Sequence, residues 1–173
     1  MNNRSLFLLL ALLAAPARVA MADDAQIERG KYLVQISGCS TCHTPGGMLG
    51  QPDMARYLGG SNVGFAIPGV GIYVGQNLTP DQETGLGAWS NEQIVTALRT
   101  GKRPDGRTLS PIMPYPDLAR LTDQDAQAIA AFLKSLPPVK NNVSGPFGPH
   151  DKATTFVSVV LSAGQYNDLP PAK

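Results

Sequence analysis

Apolar positions recur at helical spacing in three stretches of this chain. The first runs from Asp24 to about Ser37 (DAQIERGKYLVQIS), opens on an acidic residue suited to a cap, and carries Ile27, Leu33, Val34 and Ile36. The second follows Trp89. Ser90 stands at a cap position, Gln93 completes the spacing of a capping box, and Ile94, Val95, Ala97 and Leu98 form a stripe that ends at Gly101. Trp89 and Ile94 also have the spacing of a hydrophobic staple. The third repeats the capping-box spacing with Thr122 and Asp125, places Ala126, Ile129, Ala130, Leu133 and Leu136 at helical intervals, and stops at Pro137 and Pro138.

The segments between and after these helices carry little periodicity. Residues 46 to 75 hold nine glycines and show neither a helical nor a strand period, so they are expected to form one long loop packed around something. The tail beyond Pro137 is again rich in Pro and Gly. Phe156 to Leu161 could make a short strand, but one strand makes no domain. With no internal repeat, the expectation is an all-α domain of three or more short helices wrapped in long loops. Helices this short bury little apolar surface against the entropy of the loops, which favours a large apolar cofactor at the centre.

The N-terminus changes the compartment. Arg4 precedes an apolar run from Leu6 to Ala15, followed by the small-residue site Ala20-Met21-Ala22, the pattern of a secretory signal peptide cut after Ala22. A ten-residue run is well short of the roughly 20 residues that span a bilayer, and no other stretch approaches that length. The chain therefore divides into a leader (1–22), a folded domain (23–140) and a Pro/Gly-rich C-terminal extension (141–173), with the mature protein expected in the periplasm. Of 14 basic and 13 acidic side chains, Arg4 and Arg18 lie in the leader, leaving a formal charge of −1. That lacks the basic excess of a nucleic-acid binder.

Export also means an oxidising compartment, where a lone cysteine pair forms a disulfide unless something else consumes it. The only two cysteines stand in GCSTCH, residues 38 to 43. A zinc site would have to draw on Cys39, Cys42, His43 and His150 without the usual second-pair spacing. A thioredoxin-like dithiol would want a βαβ surround, and a plain disulfide leaves His43 idle. The spacing C-x-x-C-H uses all three residues. Cys39 and Cys42 can form thioethers to the two vinyl groups of one haem, and His43 is then placed as an axial ligand.

One such motif implies one haem c and one further axial position. Met48, Met54, Met113 and His150 are the candidates. Met48 and Met54 lie too close to the attachment site to reach the opposite face without a tight reversal, and His150 is in the tail. Met113 sits in LSPIMPYPDL, where Pro111, Pro114 and Pro116 stiffen the backbone, a good way to present a thioether at a fixed distance.

GCSTCHTP, then NLTPDQETGLGAWSNEQIVTALRTG, then RTLSPIMPYPDLARLTDQDAQAIAAFLKSLPPV, in that order, resemble the class I c-type cytochromes. The closest likeness is to the single-haem c-type domains that accompany bacterial periplasmic alcohol, aldehyde and gluconate dehydrogenases. The resemblance covers residues 24 to about 140. It implies that the first and third helices cross, around Gly30, and that the carbonyl of Pro45 accepts a hydrogen bond from the axial histidine. Those dehydrogenase subunits often carry several haem domains, whereas this chain has one attachment motif.

Closed by His43 and Met113, the iron has no open site for substrate, and the chain carries no phosphate loop or nucleophile elbow. The expected role is therefore an electron carrier rather than an enzyme. It would pass single electrons from a dehydrogenase to another cytochrome or a terminal oxidase. The alternatives are a haem enzyme or gas sensor in which Met113 is displaced, and a subunit of a larger respiratory complex contacted through the tail. Near Met113, the run RTGKRPDGR gathers Arg99, Lys102, Arg103 and Arg107. Arg99 could pair with a haem propionate, or the run could steer an acidic partner or simply favour a helix C-terminus. Trp89 could likewise hydrogen-bond a propionate or staple its helix.

Overall fold

The computed structural model describes residues 15–67, 69–154, 156–159 and 163–170. Helix α1 (Ala15–Ile36) starts earlier than the cap at Asp24 suggested. Pro16 sits in its first turn, where the missing N–H is no loss, and the alanine-rich stretch to Ala22 contains no helix breaker. The rest of the expected leader, residues 1–14, lies outside the described residues.

Helix α1 lies across a later helix of the chain. The short α2 (Cys39–His43) follows it, then α3 (Asn91–Thr100), the one-turn α4 (Tyr115–Leu118) and α5 (Asp123–Ser135). The partner of α1 is α5, as the resemblance implied, and Gly30 is the contact point: a β-carbon there would lie 1.9 Å from the Ala128 carbonyl oxygen and 2.8 Å from Phe132 Cβ. Around this crossing Leu33 and Val34 bury against Ile129, Ala130, Phe132 and Leu133. The salt bridge from Arg29 Nε to Asp125 Oδ1, 2.8 Å, closes its rim.

Helix α3 adds Ile94 to the same core, and its start is capped as its sequence suggested. The Ser90 hydroxyl accepts from Gln93 N, while the Gln93 side chain accepts from Ser90 N at 2.9 Å. Thr122 caps α5 by accepting from Asp125 N at 3.1 Å. Gly101, in the left-handed region at φ 71°, ends α3 by donating to the Ala97 carbonyl.

The expectation of an all-α domain, and of one structureless loop over residues 46–75, is corrected by a small sheet. β1 (Val63–Ile67) and β2 (Gly71–Val74) form an antiparallel hairpin, and β3 (Phe156–Val159) adds parallel to β1 in the order β2-β1-β3. Gly64 pairs with Val74 and Val157, and Phe65 with Tyr73 and Ser158. β3 falls within Phe156 to Leu161, the stretch read as a possible short strand, whereas β1 and β2 are short and β1 has a glycine inside it, so no period-2 run marks them. The outer edge of β2 is closed by Phe147, which exchanges both backbone hydrogen bonds with Ile72, at 2.8 and 2.9 Å. A final short helix, α6 (Ala163–Asn167), follows β3. The fold is mostly helical, with this sheet beside the helical core, and no helix among the described residues is long and apolar enough to cross a membrane.

Candidate functional site

The site begins where α1 stops. Ser37 and Gly38 donate back to Leu33 and Gln35, and Gly38 takes the left-handed conformation (φ 65°) that turns the chain directly into α2. Cys39 and Cys42, three residues apart on that helix, fall on one side of it. Both are free thiols and half-buried, and Cys39 packs against the core. Burial pushes the Cys39 thiol up to about 11 and raises Cys42 as well. Redox-active dithiols work in the opposite direction, with at least one thiol depressed. Among the described residues no three His, Cys, Asp or Glu side chains converge closely enough to hold a metal ion, so the two thiols and the imidazole do not form a small metal cage.

His43 ends α2, and its Nδ1 lies 2.7 Å from the Gln76 carbonyl oxygen. A carbonyl can only accept, so Nδ1 carries the proton and Nε2 presents its lone pair. Burial lowers the imidazole pKa while the Gln76 carbonyl opposes that shift, which keeps the ring neutral at neutral pH. The acceptor facing Nδ1 is thus Gln76. The Pro45 carbonyl, expected in that role, accepts instead from Asp53 N at 2.8 Å. A main-chain carbonyl 33 residues downstream leaves no side-chain signature, which is why sequence reasoning missed it.

The glycine-rich segment lies directly against the backbone of α2. Gly60 N donates to the His43 carbonyl at 2.8 Å, and Thr44, fully buried, accepts from Leu58 N through its hydroxyl at 3.0 Å. A β-carbon on Gly75 would come within 1.8 Å of the Cys42 carbonyl oxygen. Only glycine permits that approach, and it delivers the next residue, Gln76, to the imidazole.

Met113 occupies a turn on the other side of α3 in the chain. Its N–H donates to Ser110 and its carbonyl accepts from Tyr115 at 2.7 Å, and the residue is half-buried. This turn is tied to the end of α3: Leu109 N donates to Gly101 at 2.7 Å, and the Tyr115 ring lies against Gly101, 2.9 Å from where a β-carbon would be. Of the other candidates, Met54 and His150 are exposed, and Met48 is half-buried in a 3-10 turn, Gly47–Leu49.

Trp89 packs on the core with the Arg103 guanidinium 5.4 Å from its ring centroid. Its carbonyl, with those of Leu86 and Gly87, accepts from Lys134 Nζ. Arg99 reaches from α3 to Asp123 Oδ1 at 2.6 Å and to the Leu121 carbonyl. Its Nε is buried and has no hydrogen-bond partner among the described residues. An unpaired buried donor of a cationic group is destabilising unless a further acceptor completes it.

Two features therefore fit a covalently attached haem. They are two free thiols one helical turn apart and an imidazole whose Nδ1 is engaged by a carbonyl, leaving Nε2 with its lone pair.

The sequence model of the cytochrome c family matches residues 27–137. The chain is 42% identical to the cytochrome c subunit of a quinone-dependent alcohol dehydrogenase from Gluconobacter oxydans, over 72% of this chain and 24% of that protein. It is 39% identical to the cytochrome c subunit of a gluconate 2-dehydrogenase from Pantoea cypripedii, over 68% of this chain and 25% of that one. To the fructose dehydrogenase cytochrome subunit of Gluconobacter japonicus it is 37% identical, over 66% and 22%. The chain spans about a quarter of the length of these curated relatives.

Proposed function

Because this chain belongs to the cytochrome c family, we propose that it is a periplasmic, single-haem electron carrier that takes electrons from a dehydrogenase and passes them to a further cytochrome or a terminal oxidase. Its relatives are cytochrome subunits of dehydrogenases for an alcohol, gluconate and fructose. That range of substrates argues that the shared part handles electrons rather than substrate. The same relatives support membership of a dehydrogenase complex as the form in which the carrier works.

The observation that carries this reading is α2. It holds Cys39, Cys42 and His43 on one short helix, with His43 Nδ1 engaged by Gln76 and Nε2 left for iron. In this reading Cys39 and Cys42 would hold one haem covalently through two thioethers. His43 Nε2 and the Met113 thioether would be its iron ligands. The bound group supplies a one-electron iron couple whose potential methionine ligation raises. Arg99 Nε supplies a donor to a propionate, with Trp89 beside it, and Pro45 holds the turn after the histidine. Residues 1–22 serve as the export signal, and the mature domain has no need of acid or base residues.

The optical spectrum of the purified ferric and ferrous protein, with Met113→Ala beside it, tests this. Expected are a c-type haem spectrum that survives acid extraction and a weak near-infrared methionine band that the variant loses. Rapid carbon monoxide uptake by the unaltered protein would sink the carrier reading and favour an open sixth site.

A further inference from the structure

Two backbone segments touch His43, and neither belongs to a helix. Gly60 donates to its carbonyl and Gln76 accepts from its ring, and the two segments are joined by Ser61 N to the Gly75 carbonyl at 2.8 Å. Something must fix them, because a hydrogen bond to an axial ligand is only as constant as the carbonyl that makes it. We propose that the stretch from Val139 to Val143, just past α5, is that brace, with Asn141 as a positioning residue that sets the His43 to Gln76 hydrogen bond and through it the reduction potential. The potential half of this rests on the haem reading above.

The brace grips both segments. On the Gln76 side, Asn77 is 2% exposed, and its Nδ2 donates to the Val139 carbonyl at 2.7 Å and to Thr84 Oγ1 at 3.0 Å. Its Oδ1 accepts from Thr79 N and from Thr79 Oγ1, and Val139 N returns a bond to that hydroxyl at 3.0 Å. On the Gly60 side, Asn141 Nδ2 donates to the Gly59 carbonyl at 2.7 Å, while Asn141 N donates to Thr84 Oγ1 at 3.1 Å. Val139 and Val143 side chains close on Gly59 and Gly60 so tightly that β-carbons there would lie 2.9 and 2.2 Å from them. Asn141 is thus bonded at once to the residue before Gly60 and to Thr84, which also holds Asn77. A carbonyl accepting from Nδ1–H makes the imidazole a stronger donor and favours the oxidised, more positive iron. Slackening the brace should therefore raise the potential.

The test compares the haem-loaded wild type with Asn141→Ala and Asn141→Asp, by solvent exchange of the His43 ring N–H in proton–nitrogen spectra and by redox titration. Asp keeps the volume but has no N–H for Gly59, so it carries the test should the smaller residue not fold. Both variants are expected to exchange that ring proton roughly fivefold faster, the loss of one net hydrogen bond, and Asn141→Ala, which adds no charge, to titrate at a higher midpoint. Wild-type exchange and midpoint together with a lowered melting temperature would make Asn141 merely structural and overturn the proposal. A wild type without a haem spectrum would overturn the haem reading instead, and the ring N–H exchange of that haem-free chain would still decide whether Asn141 holds Gln76 against His43.

Discussion

The Ala128 carbonyl oxygen fills the space beside Gly30 in which a side chain would begin, 1.9 Å from the position of its β-carbon. The α1 and α5 backbones meet there with nothing between them, and the rigid partner is a helix carbonyl that cannot step aside. Gly30→Ala is expected to lose about 2 kcal/mol or more through forced separation of the helices. Urea unfolding should show it as a lowered midpoint with an unchanged slope.

The reciprocal cap at the start of α3 makes a smaller, separable contribution. Ser90→Ala should cost about 1 kcal/mol. Gln93→Ala made on top of it should cost less than it does alone, because the two bonds share one box. A double-mutant cycle on thermal midpoints measures the coupling, and strict additivity would argue against it.

Lys134 gathers three carbonyls, those of Leu86, Gly87 and Trp89, at 3.2, 2.8 and 3.0 Å. Lys134→Met keeps the aliphatic stem and removes all three donors. The expected loss is roughly 1–3 kcal/mol, with faster amide exchange confined to the segment around Trp89. Exchange rates that stay at wild-type values there would show that the loop holds itself.

The carboxyl of Asp105 is held low, at about 2, first by its hydrogen bonds from Arg107 and then by the charge of Arg103. A folded-state pKa below the unfolded one contributes stability above the ordinary carboxylate value, lost as pH falls through the folded value. The turn from Arg103 to Arg107 should therefore be fully supported at neutral pH and lose this contribution between about pH 4 and pH 2. Carbon NMR of the Asp105 carboxyl should titrate near pH 2, and in Asp105→Asn the acid sensitivity of this turn should vanish. A midpoint near 4 would mean that the arginines are not engaged in solution.

Legibility in the sequence followed locality. The caps at Ser90 and Thr122 and the stop at Gly101 were readable, because each is set by residues within a few positions of one another. The crossing at Gly30 came from the resemblance rather than from any pattern. Of the sheet, only the stretch that holds β3 was readable as a strand: β1 pairs with β2 across a short turn but also with β3, far along the chain, and Gly64 breaks its alternation, so neither the hairpin nor the pairing showed. Gln76 escaped for a different reason. Its contribution to His43 is a main-chain oxygen, delivered by Gly75's freedom to lie against Cys42, and no side chain advertises it. Arg99 was singled out for its charge, yet two of its nitrogens are occupied by Asp123 and Leu121, and its remaining buried donor is visible only in three dimensions.

The parallel pairing of β3 with β1 has a consequence in time. Val63 lies beside Phe156, so this seam closes a loop of more than half the chain and carries a correspondingly large closure entropy. Helical contacts within α3 and α5 need no such search and form early. As a chain is made from its N-terminus, GCSTCH and the β1–β2 hairpin exist well before β3 does. The outer edge of β1 is then the last seam of the molecule to be sewn, and until it is, that edge stands open to any other strand that reaches it first.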